Sequence, residues 1–344
     1  MKFRQIPPAP TAVPAADVIV VGGGLAGVTT ALACARRGLR VTLVDGDHRG
    51  AASRASAGVL GPSIGRGPKG GRVGRFMFAA RDRFPGFLAE LREATGIDVP
   101  LVRGALEIAL NDTHFAELRA RAAALPDAKL LGAPDVAALD EAMHLSPRIT
   151  LIRATATGVD ADARAVMLTD GSRAAASHLV IAGGAWVSEM RGLPRPLPVR
   201  PVKGEVAVAA EPVVLSQVVF GAGGYLVPRG AKLLVGATSE EVGFSAEPTA
   251  AGAEVLATTA STLLRDWPAD AAFAGQDAGL RPMTPDGYPI LGRDPDTPTL
   301  LYACGYSRNG VLVSPLAADC LAALIAGDDA GFDLSAFAVA RFGG

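Results

Sequence analysis

The chain has 344 residues, enough for two domains or for one nucleotide-binding domain with a large insertion. Hydrophobic residues make up 49% and charged residues 19%, which supplies a sizeable core and excludes a globally disordered chain. A formal net charge of -1 gives no electrostatic reason to expect nucleic acid or an anionic membrane as a partner.

Residues 1–16 hold Pro7, Pro8, Pro10 and Pro14 and no apolar h-region, so they read as a disordered tail rather than a secretory signal. The next stretch, VIVVGGGLAGVTTALACARRGLRVTLVD, organises the chain. An apolar run at 18–21 leads into Gly22, Gly24 and Gly27 in G-x-G-x-x-G spacing. A helical pattern from Leu25 to about Arg37 stops at Gly38, and a second run at 41–44 ends on Asp45. Strand, tight turn, helix, strand and acid follow in the order that a dinucleotide-binding βαβ unit requires. Gly22 permits the turn, Gly24 lets a pyrophosphate approach the backbone, and Gly27 lets the helix pack close to the sheet. The helix N-terminus offers free N–H groups to phosphate, and Asp45 can accept hydrogen bonds from ribose hydroxyls. The alternative is a tight βα turn that binds nothing.

A small-residue loop follows Asp45 at the carboxyl edge of the sheet, with Ser53, Ser56, Ala57 and Gly58 small enough to admit a bulky cofactor or to form an ordinary surface loop. Residues 65–75 are glycine-rich and basic and read as a solvated loop, or as a lid near an anionic substrate. Helical periodicity runs over 76–95 with a break near Pro85. A strand is expected at 101–110 around Gly104, and helices at 113–124 and 135–143, with Asp135 as N-cap of the second. Strands are then expected at 151–159, 165–169 and 179–182, the last closing on Gly183-Gly184-Ala185-Trp186. Runs at 205–209, 213–220, 225–228 and 233–237 indicate an antiparallel sheet, and 250–264 a helix. Residues 300–304 form a strand and 305–310 a loop. Ser314 and Pro315 make an N-cap and N1 pair for a helix ending at Gly327.

No run reaches the length of a membrane span. Cys34, Cys304 and Cys320 make no C-x-x-C and no disulfide framework, which fits a reducing, cytoplasmic setting. The four histidines show no metal-ligand spacing, so no metal is expected.

Seven segments together resemble the flavin-dependent amino-acid oxidases of the D-amino-acid oxidase superfamily, and within it the glycine oxidases of thiamine biosynthesis. They are VIVVGGGLAG with Asp45, ASAGVLGP, PVKGE, GYLVPR, VGAT, GLRPMTPDGYPILG and GYSRNGVLVSP, spread in order from about residue 17 to 327. The resemblance implies an α/β fold: a Rossmann-like FAD-binding domain of glutathione-reductase type (17–80, 150–200 and 276–344) and a second, antiparallel-sheet substrate domain (81–149 and 201–275). It implies FAD as cofactor. Gly22, Gly24, Leu25, Ala26, Gly27, Asp45, Ser53, Ala57, Gly58 and Val59 would line its AMP and pyrophosphate part. Ala156 would contact adenine through its backbone. Tyr306, Ser307, Arg308, Asn309, Gly310, Val311 and Leu312 would wrap the flavin ring, with the helix from Pro315 adding its dipole. Arg281 would bind the substrate carboxylate, Tyr225 would add a hydroxyl to it, and Arg308 would add positive charge.

The implied reaction is oxidation of glycine or a small amino acid. A hydride passes from Cα to flavin N5, giving a 2-oxo acid, ammonia and, with dioxygen as acceptor, hydrogen peroxide. Sarcosine or D-amino-acid oxidation, a dehydrogenase using another electron acceptor, and a catalytically idle FAD-binding homologue stay open, as does a homo-oligomer. Three departures from the family pattern bear on this, one being Tyr306-Ser307 at the flank of the flavin loop that is aromatic or His-rich in the family. Ser239 stands where an apolar methionine is usual. Family members also carry an extra strand and crossover helix between 143 and 151, and here Leu145 to Ile149 leave too little chain for both. Either the helix at 135–143 is re-used as that crossover, or the sheet has lost one.

Overall fold

The computed structural model describes residues 15–61, 71–101, 105–113, 116, 136–211, 213, 215–221, 223–265, 267, 268 and 271–343. The expectations for residues 1–14 and 62–70, for Gly104, for Asp135 as N-cap and for nearly all of the helix at 113–124 lie outside these.

The chain begins with β1 (Ala16–Val21), α1 (Leu25–Arg36) and β2 (Val41–Asp45). Helix α2 (Gly71–Thr95), a short strand β3 (Ala105–Glu107) and helix α3 (Val136–Leu145) lead to β4 (Ile149–Arg153). Strands β5 (Ala156–Asp160), β6 (Ala165–Leu168) and β7 (Arg173–Ile181) form a meander, followed by a 3₁₀ turn at Gly184–Glu189. Next come β8 (Arg200–Ala209), β9 (Val218–Gly221), β10 (Gly224–Arg229), β11 (Lys232–Gly236), α4 (Ala250–Leu263) and β12 (Phe273–Met283). Strands β13 (Ile290–Arg293) and β14 (Leu300–Cys304) and helix α5 (Gly310–Ala326) complete the main elements.

Two sheets result. The first has the order β13-β14-β7-β1-β2-β4. It is parallel from β14 to β4, with antiparallel β13 at its edge. A parallel sheet covered on both faces buries alternate residues in opposite layers. Here Val18, Val20 and Leu43 pack under α1, α2 and α5, while Ile19, Val21 and Val44 pack against the meander. The second sheet has the order β12-β8-β11-β10-β9-β3. It is antiparallel except for the parallel pair β3 and β9 at one edge. Helix α4 covers one face through Leu256, Ala260 and Leu263; Val218, Val227 and Leu234 on the other meet Ala57 of the loop after β2.

Several sequence expectations change. The run expected as one strand at 151–159 is two. β4 pairs in parallel with β2, and β5 turns away into the meander. The crossover is intact: α3 is the re-used helix, packed on α1 and α2, and β4 takes its place beside β2. Helix α2 starts at Gly71, inside the expected basic loop, and carries Pro85 without ending there. It also runs through residue 80, where a domain boundary was expected, and buries Phe76, Phe84, Phe87 and Leu91 with the first sheet. Strands β12 and β13 are additions, formed from residues with little strand periodicity of their own.

Candidate active site

A cavity of about 1510 Å³ runs from the end of β1 to the second sheet. That exceeds the roughly 300–1,000 Å³ of most small-molecule sites, and leaves room for a dinucleotide with a further ligand beside it. At the β1 end the backbone is shaped by glycine. Gly22 takes φ 109°, a conformation open to residues without a side chain. A Cβ on Gly27 would lie 1.7 Å from the Gly22 carbonyl, so α1 can approach β1 only with glycine there. Gly24 is the N-cap of α1 and supplies no side-chain cap; instead Ser53 Oγ accepts a hydrogen bond from the Leu25 N–H at 3.0 Å. The helix N-terminus and a hydroxyl therefore meet at one spot, the donor set suited to a pyrophosphate.

Asp45 ends β2 beside this turn. Its Oδ1 accepts from the Gly23 N–H at 3.1 Å and its Oδ2 pairs with Arg153 Nη1 at 2.6 Å. A Cβ on Gly23 would stand 2.5 Å from the Asp45 carboxyl carbon. Gly23, which lines the cavity, and Arg153, which pairs with Asp45, were both missed by sequence reasoning. Neither carries a local signal, because what each faces is set by strand pairing.

The opposite end of the cavity is lined by the second sheet. Arg281 lies on β12, and its Nη1 donates to the carbonyls of Lys203 (3.3 Å) and Thr238 (3.0 Å). Among the described residues no carboxylate pairs with it. Burial pulls its pKa below the ordinary arginine value, with nearby Arg308 a smaller contribution in the same direction. Tyr225, on β10, is in register with Gly236 of β11, and its ring lies where a Cβ on Gly236 would be. Burial pushes the Tyr225 hydroxyl pKa up, against the opposing pull of Arg281, so the group is a donor through neutral pH.

A loop from Gly305 to Asn309 joins the two ends. Gly305 (φ 65°) and Ser307 (φ 51°) both take left-handed backbone. The Ser307 N–H donates to the Pro282 carbonyl at 3.0 Å, tying the loop to the residue after Arg281. Helix α5 then starts at Gly310 with Asn309 as N-cap, five residues before the expected N-cap Ser314. Pro315 lies inside the helix, so the positive end of its dipole is aimed at the cavity from Gly310 rather than from Pro315.

Of the residues named from sequence, Gly22, Gly24, Leu25, Ala26, Asp45, Ser53, Ala57, Gly58, Val59, Ala156, Tyr225 and Arg281 line this one cavity, as do Tyr306, Ser307, Arg308, Asn309, Gly310 and Val311. Gly27 and Leu312 do not: Gly27 is packed against the turn, and Leu312 is fully buried in the helix layer. The residues present fit FAD. Glycine cradles admit a backbone-hugging phosphate at one end, and at the other stands a half-buried cation that has no acidic partner among the described residues. Among the described residues no cluster of three His, Cys, Asp or Glu could hold a metal, and no helix is long and apolar enough to cross a membrane.

Comparison with known proteins agrees with this geometry. The model of the family described as FAD dependent oxidoreductase matches residues 17–150 and 148–324. A glycine oxidase of Geobacillus kaustophilus is 32% identical over 94% of this chain and 97% of its own. One of Pseudomonas aeruginosa is 30% identical over 94% and 98%. The crystal structure of glycine oxidase from Geobacillus kaustophilus superposes with a TM-score of 0.85, at 29% identity, covering 96% of this chain and 99% of that one.

Proposed function

The chain belongs to the FAD-dependent oxidoreductase family, and from that premise we propose that it oxidises glycine or a similarly small amino acid. The observation that carries the reading is Arg281: a half-buried guanidinium with no carboxylate partner among the described residues, in the same cavity as the dinucleotide turn. A planar fork of donors suits a carboxylate. Relatives that match along almost their whole length include glycine oxidases, the two at 30% identity or more named above among them, which supports glycine as first choice.

FAD, when bound, supplies the two-electron acceptor. Gly22, Gly24, Ser53 and the N-terminus of α1 would hold its pyrophosphate, and Asp45 its ribose. Arg281 anchors the substrate carboxylate and Tyr225 donates a hydrogen bond to it. Arg308, exposed in the loop, adds positive charge near both. Free N–H groups at the start of α5 would face the flavin and favour negative charge there. The amino acid loses two electrons and two protons; water then converts the imine to a 2-oxo acid and ammonia. Dioxygen, or another acceptor, takes up the electrons.

In this reading the first sheet with α1, α2, α3 and α5 is the FAD-binding unit, and the second sheet with α4 is the substrate unit. We place the protein in the cytoplasm, where its three free, buried cysteines stay reduced. The test is a product balance with purified holoprotein, glycine and dioxygen. One glyoxylate, one ammonia and one hydrogen peroxide per glycine are expected. Glycine consumption without ammonia release overturns the assignment.

A further inference from the structure

We propose that Gly204 is the positioning residue for Arg281: by lacking a side chain it gives the guanidinium a flat seat on β8. This rests on the reading that Arg281 binds the substrate carboxylate. A Cβ built on Gly204 would stand 2.1 Å from each terminal nitrogen of Arg281 and 2.2 Å from its Cζ. No side chain fits there while Arg281 keeps its place. The colliding atoms are the free end of a long side chain and not backbone, so an alanine at 204 moves the guanidinium instead of unfolding the sheet.

The seat is also fixed from behind. Along β8, side chains alternate between faces, so Gly204 faces the cavity while Lys203 and Glu205 face the opposite side. There Lys203 Nζ pairs with Glu205 Oε1 at 2.7 Å and with Glu240 Oε2 at 3.2 Å. Glu205 also accepts from the backbone N–H and the hydroxyl of Thr249, the N-cap of α4, each at 3.0 Å. The Thr238 hydroxyl accepts from Glu205 N–H at 2.9 Å and donates to Glu240 at 2.9 Å. Lys203 and Thr238 are the two residues whose carbonyls Arg281 uses. The cluster therefore fixes both acceptors, and Gly204 between them keeps the surface flat.

The experiment is a double-mutant cycle on FAD-loaded protein, with Gly204→Ala, Arg281→Ala and both together. Acetate is titrated as the smallest carboxylate probe, read by the flavin absorbance change, with neutral acetamide as control. Gly204→Ala is expected to keep FAD and to weaken acetate at least about tenfold, as loss of a charge-assisted pair does. Acetamide binding stays unchanged. The double variant is no weaker than Arg281→Ala alone, because the seat has no purpose once the guanidinium is gone. If Arg281→Ala loses acetate and Gly204→Ala does not, the seat is wrong and the Arg281 reading survives. If Arg281→Ala binds acetate as tightly as the wild type, or the wild type binds none, that reading itself fails. Should Gly204→Ala not hold FAD, the double variant decides. A folded, FAD-loaded double variant supports the seat; one that fails equally shows that Arg281 is not what an alanine collides with, and overturns it.

Discussion

Gly27 and Gly22 meet so closely that a single methyl group cannot enter between them. A Cβ on Gly27 would lie 1.7 Å from a backbone oxygen, and neither partner is a movable side-chain end. Gly27→Ala is therefore expected to push α1 off the sheet. The cost should be about 1–3 kcal/mol, the usual range for overpacking, measured by denaturant unfolding of the apoprotein. A variant as stable as wild type would show that the helix can shift without loss. The three fingerprint glycines were legible because the motif's spacing encodes their tasks. Gly23, Gly204 and Gly236 were not. Each is needed because of a side chain that strand pairing brings over it: Asp45, Arg281 and Tyr225 respectively. That information is in the register and not in the local sequence.

Strand β12 shows the same limit at the scale of an element. Its last residues, GLRPM, have a proline and no alternation, yet they pair with β8 from Gly204 down to Arg200. Tertiary pairing outweighs local propensity there. Helix α5 misled in the opposite way. Ser314-Pro315 has the form of a helix start, but the N–H of Val313 already bonds the Asn309 carbonyl, so the helix is under way before the proline. The turn between β13 and β14 supplies a prediction. Asp294 is fully buried and accepts from Tyr302 (2.8 Å), Arg195 Nε (2.9 Å) and the N–H groups of Asp296 and Thr297. Burial pushes its carboxyl pKa up, but these donors together outweigh that and hold it below its ordinary 3.8. A carboxyl depressed in the folded state stabilises above its unfolded value, and that stability is lost as pH falls through the folded value. Asp294→Asn should therefore lower the melting temperature most near pH 7. The gap to wild type should shrink below pH 4. A gap independent of pH would mean that the charge contributes nothing.

The whole molecule is two sheets sharing one cavity, and β8 with β12 is the ribbon that joins them. Arg281 sits near the end of β12, just before the chain crosses back to β13, and Pro282 holds the loop that precedes α5. The loop before α5 and the strand that carries Arg281 are thus tied by hydrogen bonds, the Ser307–Pro282 one among them, although their residues are apart in sequence. The family motifs made both ends legible from sequence. Their connection was not legible, nor was the use of α3 as the crossover to β4, since both depend on which elements pack together. The most direct measurement is anaerobic titration of the purified yellow holoprotein with glycine, followed at the flavin absorbance band. Glycine is expected to bleach the band to that of reduced flavin, and Arg281→Ala, with FAD retained, to lose most of that bleaching. A protein that stays yellow with glycine and with every other small amino acid would contradict the proposed function.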